Sequence, residues 1–133
     1  LPALIQHAHA AGVKVICSSH DFTGTPPQEE LTARMEQMRS AGADIAKLAV
    51  MPHRPEDVLE LLTATTQMRQ AHPELPLVTM SMGALGAVSR LWGEAMGSAM
   101  TFASAGKSSA PGQLELDLVN QVLDALRLAD QES

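Results

Sequence analysis

The sequence predicts an all-parallel α/β fold forming one domain over residues 1–133, and three observations lead there. Strand-like runs alternate with helical ones along nearly the whole chain, giving one helix followed by about four strand–helix units. The run Ala43–Met51 is apolar on both faces when read with a period of two: Ile45, Ala49 and Met51 on one side, Ala46, Leu48 and Val50 on the other. A strand without a polar face belongs to a parallel sheet covered by helices. Glycine or proline stands at nearly every junction between runs.

In chain order, Leu1–Ala11 has helical composition with Leu4, Ile5 and Ala8 at helical spacing, and Gly12 ends it. Val13–Ser18 is a short β-branched strand, after which Ser19, His20, Asp21 and Phe22 run out into a loop. Thr23–Pro27 is turn chemistry leading to a helix over Pro26–Ser40, whose buried stripe is Leu31, Met35 and Met38 and whose end is marked by Gly42. The strand at Ala43–Met51 is broken by Pro52. Arg54–Ala71 is the longest helix, with Val58, Leu61, Leu62, Ala64, Thr65 and Met68 as its apolar face. Pro73 and Pro76 fence off the third strand, Leu77–Met82, and Gly83 closes it. A helix over Val88–Met96, a fourth strand over Ala99–Ala103, a loop over Ser104–Gly112, a last helix over Leu114–Leu128 and a polar tail complete the reading.

Composition narrows the function. A formal net charge of −6 with 18% charged residues and scattered basic ones gives no footprint for nucleic acid or an anionic membrane surface. No apolar run approaches the roughly 20 residues of a membrane span, and a cytoplasmic setting is expected. The single cysteine, Cys17, lies in a strand-like run and is expected to be buried and inert. His7, His9, His53 and His72 show no ligand spacing, so they are assigned to surfaces and no metal or other cofactor is expected.

The chemistry concentrates at strand ends, where ligands bind in parallel sheets. Lys47 sits where the second strand would carry a core residue. A desolvated lysine escapes the cost of burial by losing its proton, which leaves an amine able to attack a carbonyl. The alternative is a stem lying along the sheet, with its head reaching water or an acid such as Asp44. An iminium is an electron sink, and the carbon beside it then needs a proton acceptor. His20, at the adjacent strand end, suits that task, and a solvated loop histidine is the plainer reading.

Five motifs in order and at similar spacing make the resemblance specific. Cys17-Ser18-Ser19-His20-Asp21-Phe22, the lysine strand through Met51-Pro52, Thr79-Met80-Ser81-Met82-Gly83, Ser89-Arg90-Leu91-Trp92-Gly93-Glu94 and Ser109-Ala110-Pro111-Gly112-Gln113 resemble type I 3-dehydroquinate dehydratase of the shikimate pathway. The resemblance implies the C-terminal half of a TIM-type (β/α)8 barrel, a fold that takes roughly 200 to 250 residues. It implies that Lys47 forms an imine with the ketone of 3-dehydroquinate and that His20 moves the proton. It also implies that Arg90 grips the substrate carboxylate, that Ser109 and Gln113 belong to a covering loop, and that Met80, Met82 and Phe102 line the pocket. Glu94 and Asp21 are given supporting structural duties. Without the family, Arg90 reads as a surface helix residue, and Met80, Met82 and Phe102 as core.

Four strands of a closed barrel leave two open sheet edges and an apolar inner face. The chain is therefore expected to be truncated, or to act as a homo-oligomer or with a complementary half-barrel. Two other readings stand beside dehydration: a half-barrel module without turnover, and another imine-forming lyase of aldolase type using Lys47. The order of the arginine and Ser-Ala-Pro-Gly-Gln motifs favours the dehydratase.

Overall fold

A computed structural model describes residues 1–87, 98, 103–104 and 113–132. Helix α1 spans Pro2–Ala10, with proline in its first turn, where a missing N–H costs nothing, and His7 and His9 in its last. Strand β1 follows at Ile16–His20, helix α2 at Gln28–Ser40, strand β2 at Ile45–Val50, helix α3 at Pro55–Ala71 and strand β3 at Leu77–Ser81. Strands β4 (Ala103–Ser104) and β5 (Leu114–Glu115) precede helix α4 at Leu116–Glu132.

The first three strands form one parallel sheet in the order β1-β2-β3. Ser98 adds a parallel bridge to Leu77, and its hydroxyl accepts a hydrogen bond from the Thr79 amide at 3.3 Å. The predicted fourth strand is described only at its end: Ala103 and Ser104 pair in parallel with Leu114 and Glu115 as a separate two-stranded sheet. The last helix consequently starts two residues later than predicted, because Leu114 and Glu115 are taken by that ladder. It also continues to Glu132, through residues assigned to a polar tail. The helix predicted over Val88–Met96 and the loop over Ser104–Gly112 lie largely outside the described residues.

One face of the three-stranded sheet carries the main core. Cys17, Ala46, Leu48, Val50 and Leu77 point into it and meet Ile5 of α1, Leu31, Met35 and Met38 of α2, and Leu61, Ala64 and Met68 of α3. Helices α1, α2 and α3 all pack on this face, as expected for half of a barrel, and the opposite face carries an apolar patch beside polar residues. Fully burying a leucine-sized side chain contributes about 1.5–3 kcal/mol, so the helix-bearing face supplies most of the cohesion. Thr65 and Thr79 are among the buried polar residues, their hydroxyls 2.8 Å apart between α3 and β3.

Two glycines are forced by geometry. Gly42, at φ +98°, makes the turn from α2 into β2, and a Cβ there would stand 3.4 Å from Ile5 Cγ2. Gly86 lies so close to the end of β3 that a Cβ would fall 1.9 Å from the Ser81 carbonyl oxygen. No side chain fits at that position.

Candidate active site

The site is built on the face of the sheet opposite the main core. In register, Ser18 of β1 lies beside Lys47 of β2 and Lys47 beside Val78 of β3, while His20, Ala49 and Met80 form the next row toward the carboxyl edge. Strand alternation turns Cys17 and Leu48 toward the helices, so Ser18, His20, Lys47, Val78 and Met80 share the other face. Strands about 4.8 Å apart that rise about 3.3 Å per residue place the Cα atoms of His20 and Lys47 about 8 Å apart. That separation suits two side chains converging on one small molecule.

The floor beside them is apolar. Ala49, Val78, Met80 and Met82 form a buried cluster with Ile45 and Met51 packed against it. Lys47 is half-buried and His20 exposed. An amine and an imidazole above an apolar wall can perform attack on a carbonyl and transfer of a neighbouring proton. The sequence predicts a strand stopping at Ser18 with His20 at its end where the chain enters a loop, whereas β1 runs on to His20 as its last residue. The ladder continues past it, since the Asp21 amide donates to the Ala49 carbonyl at 2.8 Å. The strand also starts later than predicted, at Ile16. Val13 is still tied to α1, its amide donating to the Ala8 carbonyl at 3.0 Å, and the Val15 amide is taken by the Asp44 carboxylate at 2.7 Å.

Asp44, offered as an acid for Lys47, serves the amino edge instead. Its Oδ2 accepts from the Val15 amide and lies 2.8 Å from His9 Nε2. The Val15 N–H first, and His9 second, hold its carboxyl below the ordinary value of 3.8. The surface histidines are likewise engaged: His72 Nε2 lies 2.8 Å from Glu36 Oε2, and His53 Nε2 bonds the Thr23 carbonyl.

The sequence reading missed two features of the rim. The Phe22 ring lies parallel to that of His20, with an interplanar angle of 8° and centroids 6.0 Å apart, and Phe22 is 62% exposed. Spacing of two along an extended chain carried that signal. The second feature is a set of hydrogen bonds joining the loop after β1 to the loop after β2. Asp21 Oδ1 accepts from the Thr23 amide, the Thr23 hydroxyl and the Gly24 amide at 3.0, 2.9 and 3.1 Å. These donors, Thr23 N–H foremost, hold the Asp21 carboxyl below its ordinary value. The Met51 amide donates to the Gly24 carbonyl at 3.1 Å, and the Thr25 hydroxyl to the Met51 carbonyl at 2.9 Å.

The structure therefore gathers Lys47, His20, Met80 and Met82 on one face. Gln113 is half-buried immediately before β5, next to the smaller sheet. Arg90, Phe102 and Ser109 lie outside the described residues. Among the described residues, no group of histidine, cysteine, aspartate or glutamate is disposed to hold a metal ion, and no helix is long and apolar enough to cross a membrane.

Comparison with known proteins gives this arrangement a context. The chain is 52% identical over 124 residues to a 3-dehydroquinate dehydratase of Klebsiella pneumoniae, which covers 93% of the chain and 49% of that protein. It is 52% identical over 120 residues to the Clostridium kluyveri enzyme of the same name, covering 90% and 47%. Among solved structures, 3-dehydroquinate dehydratase from Geobacillus kaustophilus superposes with a TM-score of 0.91 at 48% identity, covering 96% of this chain and 49% of that one. A type I 3-dehydroquinate dehydratase from Clostridium difficile, solved with covalently modified comenic acid, gives 0.89 at 45% identity, covering 96% and 50%. The chain thus spans about half the length of the relatives it matches, and its fold corresponds to half of their barrels. The sequence pattern of type I 3-dehydroquinase matches residues 1–130, and the chain belongs to that family.

Proposed function

We propose that the protein serves the dehydration of 3-dehydroquinate to 3-dehydroshikimate and water, through an imine on Lys47 with His20 as the acid–base group. The observation that carries this reading is the placement of His20 and Lys47 on one sheet face, one row apart on neighbouring strands, beside an apolar wall. The Lys47 amine adds to the substrate ketone and expels water to give an iminium. His20 takes the proton from the carbon next to the iminium. The electron pair left behind drives out the hydroxyl group one carbon further, and the His20 imidazolium returns the proton to it as water leaves. A second water hydrolyses the iminium, releasing product and the free amine. Met80, Met82 and Phe102 line the pocket, Arg90 binds the substrate carboxylate as a planar bidentate donor, and Ser109 and Gln113 cover the substrate. A cytoplasmic setting belongs to this reading.

A second part of the proposal concerns assembly. Strand β1 is an edge of the three-stranded sheet, and beside it a groove of about 700 Å³ is lined by residues including Leu4, Ile5, Val15 and Ile16. Leu4 is 69% and Ile16 54% exposed, an apolar strip next to a strand edge that pairs with no other strand among the described residues. This favours completion of the pocket by pairing, with a second copy or a complementary half-barrel. Without such pairing the chain is a half-barrel module lacking turnover.

Both parts are tested by incubating the chain with 3-dehydroquinate and borohydride, followed by intact and peptide mass spectrometry, with light scattering on the same sample. One reduced adduct on Lys47 in an assembled species is the expected outcome. A folded chain that forms no adduct would overturn the imine assignment, and a well-folded monomer would overturn the pairing.

A further inference from the structure

We infer that Asp21 and His53 are positioning residues for His20, clipping the loops after β1 and β2 into one rim that fixes the imidazole above Lys47. The inference rests on the proposed role of His20 and adds to it the means by which the ring is held.

His20 is exposed, and an exposed histidine at the end of a strand exchanges among its staggered rotamers unless its backbone and ring neighbour favour one. Here the backbone just beyond it is cross-linked at four heights to the end of β2 and the loop after it. Asp21 N–H meets the Ala49 carbonyl, Met51 N–H the Gly24 carbonyl, the Thr25 hydroxyl the Met51 carbonyl, and His53 Nε2 the Thr23 carbonyl. A carbonyl oxygen only accepts, so His53 Nε2 carries the hydrogen of that last bond.

Two side chains decide whether these cross-links hold. The Asp21 carboxylate gathers the Thr23 and Gly24 donors into the turn that presents the Thr23 and Gly24 carbonyls to the other loop. His53 is itself anchored, its amide donating to Asp57 Oδ2 at 2.8 Å at the start of α3. The clip thus runs from β1 through Asp21 and His53 to a helix packed in the core. Phe22 lies within this clipped segment, so the parallel His20–Phe22 ring pair is the direct reporter of its order. Thirty residues separate His53 from Thr23, which is why neither partner announces the other in the sequence.

The chain contains five histidines and two phenylalanines, so histidine and phenylalanine ring labels make the His20–Phe22 cross-peaks assignable by NMR. The variants are Asp21→Ala, Asp21→Asn and His53→Ala in the full chain. Each is also assayed for borohydride trapping on Lys47, for deuterium uptake into 3-dehydroquinate at the carbon next to the imine, and for thermal midpoint. Asp21→Ala and His53→Ala are expected to erase the ring cross-peaks and slow deuterium uptake about 10- to 100-fold, the cost of a misplaced catalytic group, while trapping persists. Asp21→Asn, which keeps an acceptor oxygen, should restore both. Cross-peaks that survive in both alanine variants would overturn the inference. So would a loss of uptake that merely follows a fall in trapping and thermal midpoint, because that pattern marks a general folding defect. If the unsubstituted chain neither traps nor exchanges, the proposed function fails, and the cross-peaks alone still decide whether Asp21 and His53 hold the ring.

Discussion

His20 stands on the same sheet face as Lys47, one residue row nearer the carboxyl edge, because Ser18 is the in-register neighbour of Lys47. The two side chains therefore stand at different heights on that face, and the function proposed above gives them separate jobs.

The separation predicts different failures for the two substitutions. Lys47→Ala is expected to abolish the borohydride-stable adduct. His20→Ala should keep the adduct and lower proton removal by about 100- to 10,000-fold, the usual contribution of a positioned acid–base group. Trapping and deuterium exchange measured side by side check this, and an adduct persisting in Lys47→Ala would relocate the nucleophile.

Gly86→Ala should be among the most damaging single-methyl additions in the described chain. The added Cβ meets the Ser81 carbonyl oxygen at 1.9 Å, and backbone cannot swing aside as a flexible side chain would. A loss of about 3 kcal/mol is expected, the upper end of ordinary overpacking costs. A urea midpoint unchanged from the parent would refute it.

Thr65→Val removes the hydroxyl that lies 2.8 Å from both the Leu61 carbonyl and the Thr79 hydroxyl, between α3 and β3. The expected cost is about 1–3 kcal/mol, because Thr79 loses this partner in a buried setting. The double change Thr65→Val, Thr79→Val should cost less than the sum of the singles. Additive singles in denaturant unfolding would show that the two hydroxyls are uncoupled.

Stability should decline on the acid side through the carboxylates that accept backbone hydrogen bonds. The His53 N–H, followed by Arg54, holds the Asp57 carboxyl below its ordinary value of 3.8, and Asp21 is lowered by the Thr23 N–H. With folded values depressed, their contribution is fully present above the unfolded value and is lost as pH falls through the folded ones. Unfolding free energy should therefore drop below about pH 4. Asp57→Asn should flatten that drop, because the amide does not titrate yet keeps an acceptor oxygen for the His53 N–H. Equilibrium unfolding across pH tests both.

Much of the fold could be read from residue pattern, and the reasons are local. The double apolar alternation of Ile45–Val50, the stripe of Leu31, Met35 and Met38, and Pro55 at the start of α3 each set their own element. The start of β1 was misread because Val13 and Val15 are β-branched, yet α1 and Asp44 take their amides. Strand β5 was missed because Leu114 and Glu115 have helical preferences and are extended only through Ala103 and Ser104. Lys47 stood out as a charge in an apolar strand. The Asp21–His53 clip did not, since only the folded sheet brings residues 21–24 beside residues 49–53.

The row arrangement also sets the kind of length change the site tolerates. Strand side chains alternate, so deleting one residue inside β2 ahead of Lys47 would turn the amine into the helix-packed layer, while deleting two would keep its face and move it one row relative to His20. Single-residue insertions and deletions within β1 and β2 are thus barred by parity alone, whatever the new residue. Changes of loop length beyond the clipped rim leave that parity intact, so the connections tolerate length changes that the strands do not.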